Sequence, residues 1–339
     1  MLRAPLAVAA IGLALTACIA APSGAPTSSP TATLPANSGI VEQISVALPG
    51  QQPWRVMRFA TSLIVITQAI TGAGAVLRYD ARNGRRDGPV LRLDFGPGEA
   101  AYGFGSLWIA RARGDGSLVR VDPKRLSIIA QVGAGHNLGP GVTAAFGSVW
   151  TANQDPSAPP GPGSGSVSRI DPVSNQVVQT IPSGPSPLTI SAGEGALWTA
   201  NHGDESVSRI DPQGARLVAT IPSSGIHNVM TAAGAAWVAS YHTQALLVIS
   251  LATDRVTRRI ALPFAPQAMT VFADELYVAS AGYGVLRERA GRVAIITGSS
   301  NAVRRTIDIG AAVQSVISGE GEVWLVCDRP AVAVRLRTG

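Results

Sequence analysis

Residues 195 to 224, GALWTANHGDESVSRIDPQGARLVATIPSS, alternate between short apolar runs and polar breaks in a fixed order: strand, loop, strand, tight turn, strand. Residues 147 to 184, GSVWTANQDPSAPPGPGSGSVSRIDPVSNQVVQTIPSG, repeat that order almost word for word. The runs are rich in Val, Ile and Thr and bounded by Gly, Pro, Asn and Asp, which predicts β-strands joined by turns. Several are apolar at consecutive positions, as expected of strands buried on both faces of a sheet. A fourth strand, such as 188 to 192 (LTISA), precedes each unit.

An aromatic residue marks the second strand of each unit. It falls at Trp108, Trp150, Trp198, Trp237, Tyr277 and Trp324, with spacings of 39 to 48 residues, and Ile64 takes the same place one period earlier. That period is the one expected of propeller blades. The pattern therefore predicts an all-β, seven-bladed β-propeller of four-stranded blades. The last unit ends after its third strand, whereas 40 to 50 (IVEQISVALPG) matches the fourth strand at 256 to 266. The N-terminal strand is expected to complete the last blade and close the ring, which leaves few open edges.

Repetition also separates scaffold from site. The marker aromatics, and the alanines two positions later (Ala110, Ala152, Ala200, Ala239, Ala279), recur in register and read as core. Asp80, Asp122, Asp171 and Asp211 end the third strands, where a carboxylate can accept turn N–H groups. Arg78, Arg120, Arg169 and Arg209 sit two positions earlier and are expected to pair from blade to blade.

The units, with WTAN and SVSRIDP as their hallmarks, resemble the YVTN-type β-propeller repeats. More distantly they are similar to the streptogramin (virginiamycin B) lyase propellers, which carry a comparable Gly-x-Leu-Trp strand. The resemblance spans nearly all of 40 to 339 and implies the fold. For function it implies less, since such propellers include lyases, lactonases and binding proteins.

The N-terminus changes the picture from fold to address. Arg3, an apolar run from Leu6 to Leu15 and then Leu-Thr-Ala-Cys18 resemble the export signal of bacterial lipoproteins. The run is too short to span a bilayer. Residues 1–17 are read as the signal peptide and 18–39 as a lipidated Cys18 followed by an uncharged Pro/Ser/Thr/Ala-rich tether. Residues 40–339 are read as the propeller. The protein is thus expected on the extracytoplasmic face of the bacterial cell membrane, held by lipid on Cys18, as a monomer. The alternative is ordinary secretory cleavage near Ala20 or Ala21. Cys327 is the only cysteine besides Cys18 and is expected to be buried.

The formal charge of +6 rests on scattered arginines, Lys124 being the single lysine. No dense basic run with interleaved aromatics is present, so a nucleic-acid partner is excluded from the reading.

Sorting loops by strand order sends all four histidines to one face. His202 and His242 lie in loops between second and third strands, and His136 and His227 in connections between blades. The insertions 154 to 166 and 280 to 291 fall there too. Arg55, His227, Asn228, Gln267 and Gln314, with Trp54 beside them, are expected to ring the mouth of the central channel. There they would hold a polar or anionic small ligand, or bond to channel water.

Catalysis is not expected. The streptogramin-lyase resemblance implies the alternative, a metal-assisted lyase or lactonase with His227 as base, His136 second to it, and Mg²⁺ near Asp204 and Glu205. Acidic residues on that face are few (Asp155, Asp204, Glu205, Glu288), and no HExxH, CxxC pair or phosphate loop accompanies them. The leading reading is a ligand- or protein-binding module.

Overall fold

A computed structural model describes residues 40–46, 51–69, 72–111, 116–135, 138–154, 165–282, 284–297 and 302–336. The signal segment, Cys18, the tether, His136 and Asp155 lie outside the described residues. The rest folds into seven four-stranded antiparallel sheets, six of them with their strands in sequence order. Blades 1 to 7 begin with inner strands Gln51–Phe59, Pro97–Gly103, Leu138–Ala145, Pro187–Gly193, Ile226–Ala232, Pro266–Phe272 and Ala312–Gly319. The protein is a seven-bladed β-propeller.

Blade 4 shows the unit: Pro187–Gly193 innermost, then Ala196–Asn201 and Ser206–Asp211, with Arg216–Pro222 outermost. Every position of Ala196–Asn201 is buried, because this second strand has a neighbouring blade on each side. Trp108, Trp150, Trp198 and Trp324 are fully buried, as is Tyr277, and they fill the wedges between sheets. The indole N–H of Trp198 caps its own turn by donating to the Gly193 carbonyl at 3.3 Å, and Trp108, Trp150 and Trp237 repeat that bond.

The structure explains why the hallmark segments travel together. Asn201 of WTAN is buried and donates through Nδ2 to Ser206 Oγ (3.0 Å) and Ser208 Oγ (2.9 Å), the two serines of SVS. Its Oδ1 accepts from Thr199 Oγ1 at 2.8 Å. Asn153 makes the same set with Thr151, Ser166 and Ser168 in blade 3. A buried amide needs partners, and these strands supply them.

The turn aspartates behave as expected. Asp211 Oδ1 accepts the N–H groups of Gln213 (3.0 Å) and Gly214 (2.9 Å), and Asp80, Asp122 and Asp171 accept in the same way. Backbone donation to the ionised form holds Asp122, Asp171 and Asp211 below the usual carboxylate range.

The arginines hold in part. Arg78, Arg120 and Arg209 reach the next blade, at Pro123 O (3.0 Å), Pro172 O (2.7 Å) and Leu251 O (2.9 Å). Arg169 instead bonds Ser148 Oγ within its own blade at 2.8 Å. The next turn offers it Ala215, where Asn175 and Asp254 supply side-chain oxygens to Arg120 and Arg209. Three of these side chains also stack on the marker indole paired with them across strands, Arg120 on Trp108 at 4.7 Å among them.

Closure occurs as the repeat pattern requires. Blade 7 runs Ala312–Gly319, Glu322–Asp328, Val332–Leu336, and its outermost strand is Ile40–Ser45. Ile40 pairs with Leu336 and Ser45 with Val332. Cys327 is fully buried in this blade, and desolvation pushes its thiol up to about 12.

Candidate functional site

The connections between blades deliver residues to the inner strands, and the second-to-third loops open on the same side. This loop face carries His202 in the loop after Ala196–Asn201, His227 at the start of Ile226–Ala232, and His242 after Ala235–Ser240. The structure brings them together. The rings of His202 and His227 lie 5.7 Å apart, and Tyr241 bridges onward, 5.8 Å from His227 and 5.0 Å from His242. Tyr241 was not singled out in the sequence, yet its ring joins the histidines and its Oη accepts the Leu286 N–H at 2.6 Å.

His227 is the most buried of the three. Desolvation, reinforced by His202, Arg55 and His242, lowers its pKa to about 3, so its imidazole is neutral at physiological pH. His202 is shifted in the same direction, first by desolvation and then by His242.

The inner strands of blades 1, 2, 4, 5, 6 and 7 line a cavity of about 140 Å³, into which Arg55, Glu99, Thr189, His227, Asn228, Gln267 and Gln314 face. Of the residues expected at the channel mouth, Arg55, His227, Asn228, Gln267 and Gln314 line this cavity and Trp54 does not, and much of their hydrogen-bonding capacity is already occupied. Gln267 Nε2 stands 3.4 Å from His227 Nε2, and its Oε1 accepts the Gly282 N–H at 3.0 Å. Gln314 Nε2 donates to the Gly282 carbonyl at 3.1 Å, so two glutamines clasp one residue of the loop from blade 6. Asn228 Nδ2 donates to Gln267 O at 3.4 Å.

Arg55 is not an open cation. It forms a bidentate pair with Glu99, donating from Nε to Oε2 at 2.7 Å and from Nη2 to Oε1, and lies over the Trp54 ring at 4.3 Å. Trp54 itself donates from Nε1 to Gly98 O at 3.2 Å. Glu99 was absent from the sequence candidates. A signal was available: Glu99 precedes Trp108, and Arg55 precedes Ile64, by the same nine positions, so the repeat register aligns them.

The acidic residues considered for a metal do not converge. Asp204 accepts from Ser206 Oγ at 2.6 Å, Glu288 pairs with Arg292, and Asp204 and Glu205 are exposed in one loop. Among the described residues no group of three or more His, Cys, Asp or Glu side chains is placed to hold a metal ion. Asp204 and Glu205, the pair expected near Mg²⁺, have no third such ligand placed with them among the described residues.

Fold and site together define a class: a seven-bladed propeller with a central cavity of mixed polar and apolar lining and a histidine-bearing loop face. No protein-family model and no curated protein matches the chain. Solved structures do match, 1372 chains of them, which marks the fold as a common one. One is described as Kuenenia stuttgartiensis hydrazine synthase. It superposes with a TM-score of 0.68 at 18% identity, covering 87% of this chain and 97% of that one. That likeness establishes the fold.

Proposed function

We propose that this protein is a lipid-anchored, extracytoplasmic propeller of the YVTN type that binds a partner at its loop face without turning it over. The observation that carries the reading is the convergence of His202, His227 and His242 with Tyr241 at the rim of the central cavity. The cavity is well below the ~300 Å³ at which pockets enclose a whole small molecule. The partner accordingly rests on the face and inserts a small polar or anionic group toward His227 and Gln267. The Leu-Thr-Ala-Cys18 segment supports the anchor, and the paired WTAN and SVSRIDP segments support the YVTN likeness.

A neutral His227 also favours the second reading, a lyase or lactonase with His227 as base. Against it stands the engagement of Glu99, Asp204 and Glu288 with other side chains. Thermal unfolding after EDTA, then with Mg²⁺ or Ca²⁺ restored, separates the two, because a ligand of the folded state raises the midpoint. The binding reading expects an unchanged midpoint. A rise that disappears in His227→Ala, Asp204→Ala or Glu205→Ala would overturn it in favour of the enzyme.

A further inference from the structure

The seven blades permit a comparison that a single sheet would not. Each joins its inner to its second strand through a turn whose first residue has φ between 49° and 52°. Ala60, Ala233 and Ala273 hold that place in three blades, and Glu194 and Glu320 in two. In the adjacent blades 2 and 3 it is held by Phe104 and Phe146. A bulky side chain is strained in the left-handed region, and burial does not compensate here, because Phe104 is 44% and Phe146 39% exposed. Tyr102, two residues before Phe104 and 45% exposed, meets the Phe59 ring of blade 1 edge-on at 5.4 Å. The scaffold accepts alanine at this turn, so the rings serve something other than the fold.

The third-to-outer turns, on this same turn face, depart from the repeat in the same sector. Lys124 and Arg125 occupy the blade 2 turn, where blades 3, 4 and 5 carry Val173-Ser174, Gln213-Gly214 and Ala252-Thr253. Blade 1 adds Arg82, Arg85 and Arg86, all exposed. Asp80 and Asp122 cap their turns, Asp122 also meets Arg125, and Asp87 pairs with Arg78, while exposed Glu320 of blade 7 shares a surface pocket with Arg82 at the edge of the sector. The chain enters the ring beside this sector. Ile40 lies at the turn-face end of its strand, opposite Leu336, and Gly84 of the blade 1 loop packs on Ile44 of that strand.

We propose that the turn face of blades 1 to 3 docks on an anionic phospholipid surface. Phe104, Phe146 and Tyr102 enter the headgroup layer, where aromatic rings partition well, and Arg82, Arg85, Arg86 and Lys124 sit against lipid phosphates. The histidine-bearing loop face then points away from the bilayer, open to its partner. The proposal rests on the extracytoplasmic, anchored reading for the presence of a membrane, but its contacts do not involve Cys18.

The test uses the chain from Ile19 onward, which keeps every described strand and lacks the lipid site. Co-sedimentation is measured with vesicles of phosphatidylcholine alone and with added phosphatidylglycerol. Binding is expected only to the anionic vesicles and should fall about fivefold for each cation removed in Arg82→Gln, Arg85→Gln, Arg86→Gln and Lys124→Gln. Phe104→Ala with Phe146→Ala should weaken it at least about tenfold at unchanged net charge. The unfolding midpoint should be retained, since sibling blades hold alanine at that turn. No binding to the anionic vesicles overturns the proposal. So does binding that tracks charge alone and is matched by soluble polyphosphate, which would assign the sector to a cell-wall polymer. Acyl labelling of the full chain, with Cys18→Ala as control, tests the anchor separately. Vesicle binding without labelling would remove the anchor and leave the docking surface.

Discussion

Trp198 shows how one side chain serves two purposes. Its ring fills the wedge between blades, and its N–H closes the turn that begins its own strand. Trp198→Ala removes both and leaves a cavity, so it should cost about 3–5 kcal/mol, measurable by urea unfolding. His227 has a different energetic signature. Its folded pKa of about 3 lies below the ordinary value of 6.5, so the unfolded chain binds the proton first as pH falls. Its neutral form thus contributes stability above pH 6.5, and that contribution is lost on acidification toward pH 3, by up to about 1.4 kcal/mol per pH unit. His202 acts in the same direction. Comparing urea midpoints at about pH 7 and about pH 5, the wild type should lose more stability than His227→Gln. Equal losses would show that His227 accepts its proton in the folded state.

At the level of strands and turns, most of the architecture was legible in the sequence because each blade solves the same burial problem. Seven copies of one apolar pattern gave the number of sheets, and the unmatched strand at 40 to 50 gave the closure. What was harder to read is what repetition conceals. Glu99 sits in register with Arg55, but an acidic residue in a glycine-rich connection looks like a solvated loop until it is counted against its marker. Phe104 and Phe146 likewise pass as turn residues until the five sibling turns are set beside them. Tyr241 meets His227 and His242 within blade 5, and the Leu286 N–H of blade 6 holds its hydroxyl, a contact that no local pattern encodes. The closing strand carries its own expectation. Deleting 40–46 would leave Val332–Leu336 as an open edge in a sheet whose Val332, Ala333, Val334 and Leu336 are buried. Such edges invite pairing with other chains. The deletion should lower the unfolding midpoint and promote aggregation, seen by light scattering during a thermal scan. An unchanged midpoint would place the ring's closure elsewhere.

Across the described propeller, the two faces differ in chemistry. One gathers imidazoles around the central cavity. The other gathers rings and cations in one sector, next to the strand by which the chain enters. Neither depends on the other for its geometry, since rigid sheets separate them. Charge substitutions on the turn face should therefore leave events at His227 unchanged, and the reverse should hold.

The pairing of Ile40–Ser45 with Val332–Leu336 also governs the order in which this protein can come into being. Among the described strands, the one that finishes the ring is the first synthesised, and its partner is the last. As the chain emerges, every blade but one can zip up from neighbours already present, whereas the leading strand must wait for almost the entire sequence to follow it. A chain cut short before Val332–Leu336 is then more than a propeller with a frayed blade, because Ile40–Ser45 has lost its partner.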